Sequence, residues 1–183
     1  MSKPYQKTTN TKNDHSKIQN MQSESILPED LKKEINDGFL ADGILKENLV
    51  NLIENYAKIL RNSDITQSSI RNIYDSFKSL QMRLQQEFVK NIQNNLEDLD
   101  MKETEADAYR RISPMIRLMK NKSFYAIEKK KNDLKKNDEK NKKNYDSLKD
   151  FIEIAVNNVK SKKDYDAFMD LFECIVANLK KGE

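Results

Sequence analysis

Glycine and proline are nearly missing from this sequence, with three of each in 183 residues, against a usual share of about 7% and 5%. Sheets need tight turns, and tight turns draw on those two residue types. The composition therefore predicts a chain that is nearly all helix. Cysteine is down to one, Cys174, which excludes an internal disulfide and fits a reducing, cytoplasmic setting. The single histidine, His15, leaves imidazole base catalysis and the usual zinc sites without ligands. No apolar run reaches the roughly 18 residues of a membrane span, and the opening MSKPYQKTTNTKNDHSK lacks the apolar core of a secretory signal. Neither GxxxxGK nor GxGxxG occurs, so no loop can cradle a phosphate with backbone amides. Asp98 with Asp100 and Glu103 with Glu105 could hold a metal in principle, but in a chain that is 34% charged they read as solvated helix ends. Cys174 sits in the apolar run from Phe172 to Ala177 with no basic neighbour, and reads as a structural thiol. No catalytic residue, metal or cofactor is expected.

What is present is helical periodicity. Residues 1–26 are rich in Lys, Asn, Gln, Ser and Thr with no apolar period, and are expected to form a disordered tail. Residues 27–183 suffice for one core and read as a single helical-bundle domain. Pro28 suits a first helical position, and Glu29 and Asp30 favour the positive end of the dipole; this short helix should stop by Gly38. After Gly43, Leu45, Leu49, Leu52, Ile53, Tyr56 and Leu60 repeat by three and four, as one face of a helix does. From about Ser68 the series Ile70, Ile73, Phe77, Leu80, Leu84, Phe88, Ile92, Leu96 and Leu99 predicts one long helix. Thr104 with Asp107 resembles a capping box opening the next, which buries Tyr109, Ile112, Ile116 and Met119 and should kink at Pro114. Residues 129–144 read as a Lys-rich connection, a frayed extension or a mobile loop. Ser147 with Asp150 resembles a second capping box, and Ser161 with Asp164 a third, opening a last helix with Tyr165, Phe168, Phe172, Ile175, Val176 and Leu179. The expected fold is all-α, a small bundle of about five or six helices.

Charge carries the functional argument through its distribution, since the net charge is only +3. Residues 120–143 hold ten Lys and four acids, the electrostatic pattern of a polyanion-binding surface. Arg110, Arg117 and Lys120 recur by seven and three on one helical stripe, and Arg71 with Lys78 forms a similar pair on the long helix. Such stripes can track a phosphate backbone, though a Lys-rich face also serves merely to keep a helix soluble. Phe124 and Tyr125 fit either base stacking or core packing. A membrane-surface helix would need a Trp/Leu-rich face beside the cations, which this region lacks.

Three stretches stand in a telling order: Ile65-Thr-Gln-Ser-Ser-Ile-Arg-Asn72, Leu118-Met-Lys-Asn-Lys-Ser-Phe-Tyr125 and Phe168-Met-Asp-Leu-Phe-Glu-Cys-Ile-Val-Ala177. Together, across roughly residues 45–182, they resemble the small subunit of the type III-A (Csm) CRISPR effector complex. The resemblance implies a non-catalytic, RNA-binding helical protein of antiviral defence. Several copies would line the groove where guide RNA pairs with target RNA, alongside other Csm subunits, while cleavage and signalling belong elsewhere in the complex. By position it implies RNA contacts at Arg71, Lys120, Lys122 and Lys129. With Arg117 from the stripe, these five residues are expected to neutralise phosphates, mainly of the target strand, without reading bases. Ser69, Glu128 and Asn178 depart from the family pattern, which there has a Lys, a Gly and an aromatic. The alternative is a helical protein–protein adaptor with no direct nucleic-acid contact.

Overall fold

The computed structural model describes residues 27–63, 65–94 and 101–179. The tail expected over residues 1–26 lies outside them, as do Leu96 and Leu99 of the long helical series. Six helices occur among the described residues: α1 (Glu29–Asn36), α2 (Glu47–Arg61), α3 (Gln67–Asn94), α4 (Met101–Asn132), α5 (Glu139–Asn158) and α6 (Lys162–Asn178). The all-α expectation holds apart from one short hairpin, β1 (Leu40–Ala41) and β2 (Ile44–Leu45).

Helix α1 follows Pro28, which sits one place outside the helix as its cap rather than at the first helical position. Leu31 and Ile35, four apart, are both fully buried. Gly38 ends the helix in the left-handed region at φ +91°, donating its N–H to the Ile35 carbonyl. The hairpin pairs Leu40 with Leu45 and Ala41 with Ile44 in antiparallel register. Its two central residues, Asp42 and Gly43, both have positive φ (51° and 79°), the geometry for which Asp-Gly is a favoured pair. Periodicity alone gives no sign of the hairpin, although Asp-Gly marks it in the sequence.

The long helices form where three- and four-residue apolar steps were expected. Leu49, Ile53, Tyr56 and Leu60 of α2 are buried, as are Ile70, Phe77 and Leu84 of α3. Thr66 caps α3 by accepting the Ser69 N–H at 3.2 Å. Helix α4 begins at least three residues before Thr104, which is buried inside it. The Thr104–Asp107 capping box is therefore corrected: Asp107 instead pairs with Arg110 at 2.8 Å. The helix runs through Pro114 as one element. Pro114 offers no N–H to the Arg110 carbonyl four residues back, and the Ser113 hydroxyl donates to that carbonyl at 3.4 Å.

Residues 129–144 are not one loop. The first four finish α4 and the last six begin α5, capped by Asp138, which accepts the Asn141 N–H. Asn141 and Asn144 are buried, so the face they share had no apolar signature to betray it. The Ser147–Asp150 capping box is also corrected. Ser147 lies mid-helix, fully buried, and donates to the Tyr56 hydroxyl at 3.0 Å. The third box is present: Ser161 accepts the Asp164 N–H at 3.1 Å, and Asp164 accepts the Lys160 N–H at 3.1 Å.

Helix α6 is the centre of the packing, touching α2, α3, α4 and α5, while α4 lies along α3 and α5. Phe168 meets Phe77 edge to face at 5.3 Å, and Phe172 meets Phe151 at 5.8 Å and Tyr74 at 5.7 Å. The buried Tyr165 hydroxyl donates to the Phe77 carbonyl at 2.8 Å, and burial pushes its pKa well above the usual phenol range.

Two outcomes test this account. Gly43→Val, which meets open space but must keep a positive φ, should lower unfolding free energy in urea by about 1–2 kcal/mol, and Gly43→Asn by clearly less. Ser147→Ala strands the buried Tyr56 hydroxyl and should cost about 1–3 kcal/mol; adding Tyr56→Phe should recover part of that loss in the same titration.

Candidate nucleic-acid interface

Helix α4 spends one stripe on the core. Thr104, Ala108, Ile112, Ile116, Ser123 and Ile127 are buried, Tyr109, Met115, Met119 and Phe124 pack partly against the core, and the remaining faces are open to the surface. At about 100° per residue, Lys122 and Lys129 stand about 120–140° round the helix from Arg117. The structure therefore divides the five expected contact residues between two faces.

The first face borders a groove of about 420 Å³ between α3, α4 and α5. Ile73, Ile127 and Leu148 line its apolar floor, and Lys122, Lys129 and Lys130 stand along α4 at its edge. Arg71, exposed in the second turn of α3, is next to the lining residue Asn72. The second face is a groove of about 480 Å³ between α4 and the end of α5, holding Arg117 and Lys120. Lys120 donates to Asn157 at 3.2 Å and lies 5.8 Å from the Phe124 ring centre. An adjoining groove of about 380 Å³ adds Arg110, Lys160 and Lys162, and shares Tyr109 and Ser113 with it. Arg110, Arg117 and Lys120 thus do share a track, as their spacing predicts. Lys160 joins them from the α5–α6 connection, a neighbour that no local pattern could have shown.

Ion pairing separates free cations from occupied ones. Lys78, expected to pair with Arg71 in a stripe, is held by Glu173 of α6 at 3.6 Å and lies 6.0 Å from the Tyr74 ring. Lys131 is bound to Asp146, and Lys142 to Glu139 at 2.9 Å. Glu128 takes Lys149 at 2.8 Å; that hydrogen bond holds its carboxyl below, and the lysine above, the usual range. Three of the four acids in the run are thus committed: Glu128 and Glu139 to lysines, Asp138 to its cap. Among the described residues no ion pair engages Arg71, Arg117, Lys122, Lys129 or Lys130. Unbalanced, exposed charge of one sign attracts a polyanion.

The aromatics beside the run part ways. Phe124 is half-buried, with the Lys149 ammonium 5.3 Å from its ring centre as well as that of Lys120. Tyr125 is 74% exposed. Cys174 is half-buried and its thiol is pushed up, chiefly by burial, as suits a structural role. Among the described residues no group of three or more His, Cys, Asp or Glu side chains is placed to hold a metal ion, and no helix is long and apolar enough to cross a membrane. His15, Asp98 and Asp100 lie outside the described residues.

Comparison with known proteins completes the picture. None of the curated proteins and none of the solved structures matches the chain. The family model described as Csm2 Type III-A matches residues 45–181, from the second strand of the hairpin through the whole of α6. The chain therefore belongs to the Csm2 Type III-A family, the small subunit of the type III-A Csm effector complex.

Proposed function

We propose that this subunit is a non-catalytic RNA-binding component of the complex, lining the groove where guide RNA pairs with target RNA and steadying the target strand through its phosphates. Other Csm subunits and further copies of the same chain are its partners, in the cytoplasm. The observation that carries the reading is the set of exposed cations Arg71, Lys122, Lys129 and Lys130 around one groove, with three of the four acids of the Lys-rich segment committed to other partners. Lysine ammoniums on flexible stems contact phosphates as point charges and carry no base information. The guide supplies sequence by pairing. Arg117 and Lys120 form a second phosphate track on the other side of α4.

An adaptor reading is favoured by one specific feature. Met82 and Val89, seven apart on α3, are 59% and 43% exposed, an apolar stripe suited to a protein neighbour. The two readings are compatible, since a subunit of an assembly needs both kinds of surface. Association through that stripe alone would survive nuclease and high salt.

Affinity of the full chain for single-stranded RNA, measured across a salt series, tests the phosphate reading. Three contacts, at Arg71, Lys122 and Lys129, correspond to a log–log slope of about −2, from about −0.7 per contact. Lys122→Gln with Lys129→Gln should make it shallower by about 1.4, whereas an unchanged slope would remove those two lysines from the interface. Arg117→Gln with Lys120→Gln, measured in parallel, reports whether the second track takes the same strand.

A further inference from the structure

Tyr125 is the most exposed large apolar side chain described in the protein, at 74%. It lies on the long helix that also carries the unpaired lysines. Every ring pair among the described residues belongs to the core set Tyr56, Tyr74, Phe77, Phe151, Tyr165, Phe168 and Phe172. The cation–ring contacts use Tyr74, Phe88 and Phe124. Tyr125 takes part in neither. Its neighbour Phe124 shows what this helix does with an aromatic it needs for packing: the ring is half-buried beneath two ammonium groups.

The residues on the same face are Leu118, Lys122 and Lys129, at steps of four, three and four. Leu118 is 53% exposed. With a rise of about 1.5 Å per residue, Lys122 and Lys129 stand about 10 Å apart along the axis, with the Tyr125 ring between them. The nearest acid on the helix, Glu128, three residues from Tyr125, is taken by Lys149 at 2.8 Å. Farther along the stripe, Arg111 faces Glu87 of α3 at 3.7 Å, which leaves Leu118 to Lys129 as the open section. An apolar ring flanked by two free cations is complementary to a ligand that alternates a flat π-face with negative charge, which is the repeat of a single nucleic-acid strand.

We propose that Tyr125 is a base-stacking platform: one unpaired base of the bound RNA lies on its ring while Lys122 and Lys129 hold the phosphates on either side. This rests on the RNA reading above and adds a sequence-tolerant stacking contact to the phosphate contacts. Stacking on a ring face tolerates any base, so the stacked base is accepted whatever its identity.

The test is fluorescence anisotropy of the full chain with a short oligouridine RNA, repeated with an oligomer of abasic ribose phosphates of equal length. Tyr125→Ala should weaken RNA binding about tenfold, within the range for loss of one stacked base, without changing the salt slope. Tyr125→Phe should bind as the unaltered chain does, and on the abasic oligomer all three should be equal. Equal RNA affinity for Tyr125→Ala and the unaltered chain, with Lys122→Gln/Lys129→Gln weakened, would overturn the stacking contact and leave the phosphate reading standing. Equal affinity for all of them would overturn both. Unchanged RNA affinity with loss of Tyr125→Ala from the assembled complex would overturn stacking and assign the ring to a protein neighbour.

Discussion

Helix α6 buries an arc too wide for a single partner. Tyr165, Ala167, Phe168, Met169, Leu171, Phe172, Ile175 and Val176 are all buried, and at 3.6 residues per turn they occupy more than half its circumference. Such a helix must be enclosed. Helices α2 and α3 take its flanks, with α4 and α5 completing the enclosure. Its rings set the approach of each neighbour, Phe77 from α3 and Phe151 from α5 among them, at the centroid separations favoured for aromatic pairs. The polar tie from Tyr165 to the Phe77 carbonyl and that from Ser147 to Tyr56 are secondary to this burial.

The basic surface follows from the same enclosure. Because α6 and its partners satisfy the core, α4 contributes only a narrow stripe and can carry cations on both remaining sides. The cross-helix pairs then remove acids from circulation: Lys149 of α5 takes Glu128, and Lys131 is spent on Asp146. These exposed or half-exposed pairs add little to stability. Their effect on the field is larger, since a run that is only moderately basic by composition presents Lys122, Lys129 and Lys130 unbalanced at one groove. Unbalanced charge of this kind is what the proposed phosphate contacts require.

Two of the three expected capping boxes are not helix starts, for an instructive reason. Thr104–Asp107 and Ser147–Asp150 have the residue types of a cap, yet both lie inside helices where Thr104 and Ser147 are buried. Ser161–Asp164 has the same pattern and is a cap. Local hydrogen-bonding capacity is identical in the three. What differs is whether another helix covers the position, and only packing decides that. Asn141 and Asn144 misled in the same way, their polar side chains hiding a buried face under Asp138. The Asp42–Gly43 hairpin, by contrast, is written in its turn residues and leaves no mark on the helical periodicity.

The sequence by itself determined the helical class, the apolar faces of α2, α3 and α6, the cap at Ser161, the excess of positive charge along α4 and the family resemblance, because periodicity, composition and motif order are properties of the chain alone. The tertiary structure decided which cations are free. Arg71, Lys122 and Lys129 have the same chemistry as Lys78, Lys131 and Lys149, and the difference between them is an acid on another helix. It also decided that Lys160 joins the second track, and that Phe124 is packed while Tyr125 stands in solvent. Adjacent residues on a helix differ by about 100° in direction, and only the position of the neighbouring helices says which direction is covered.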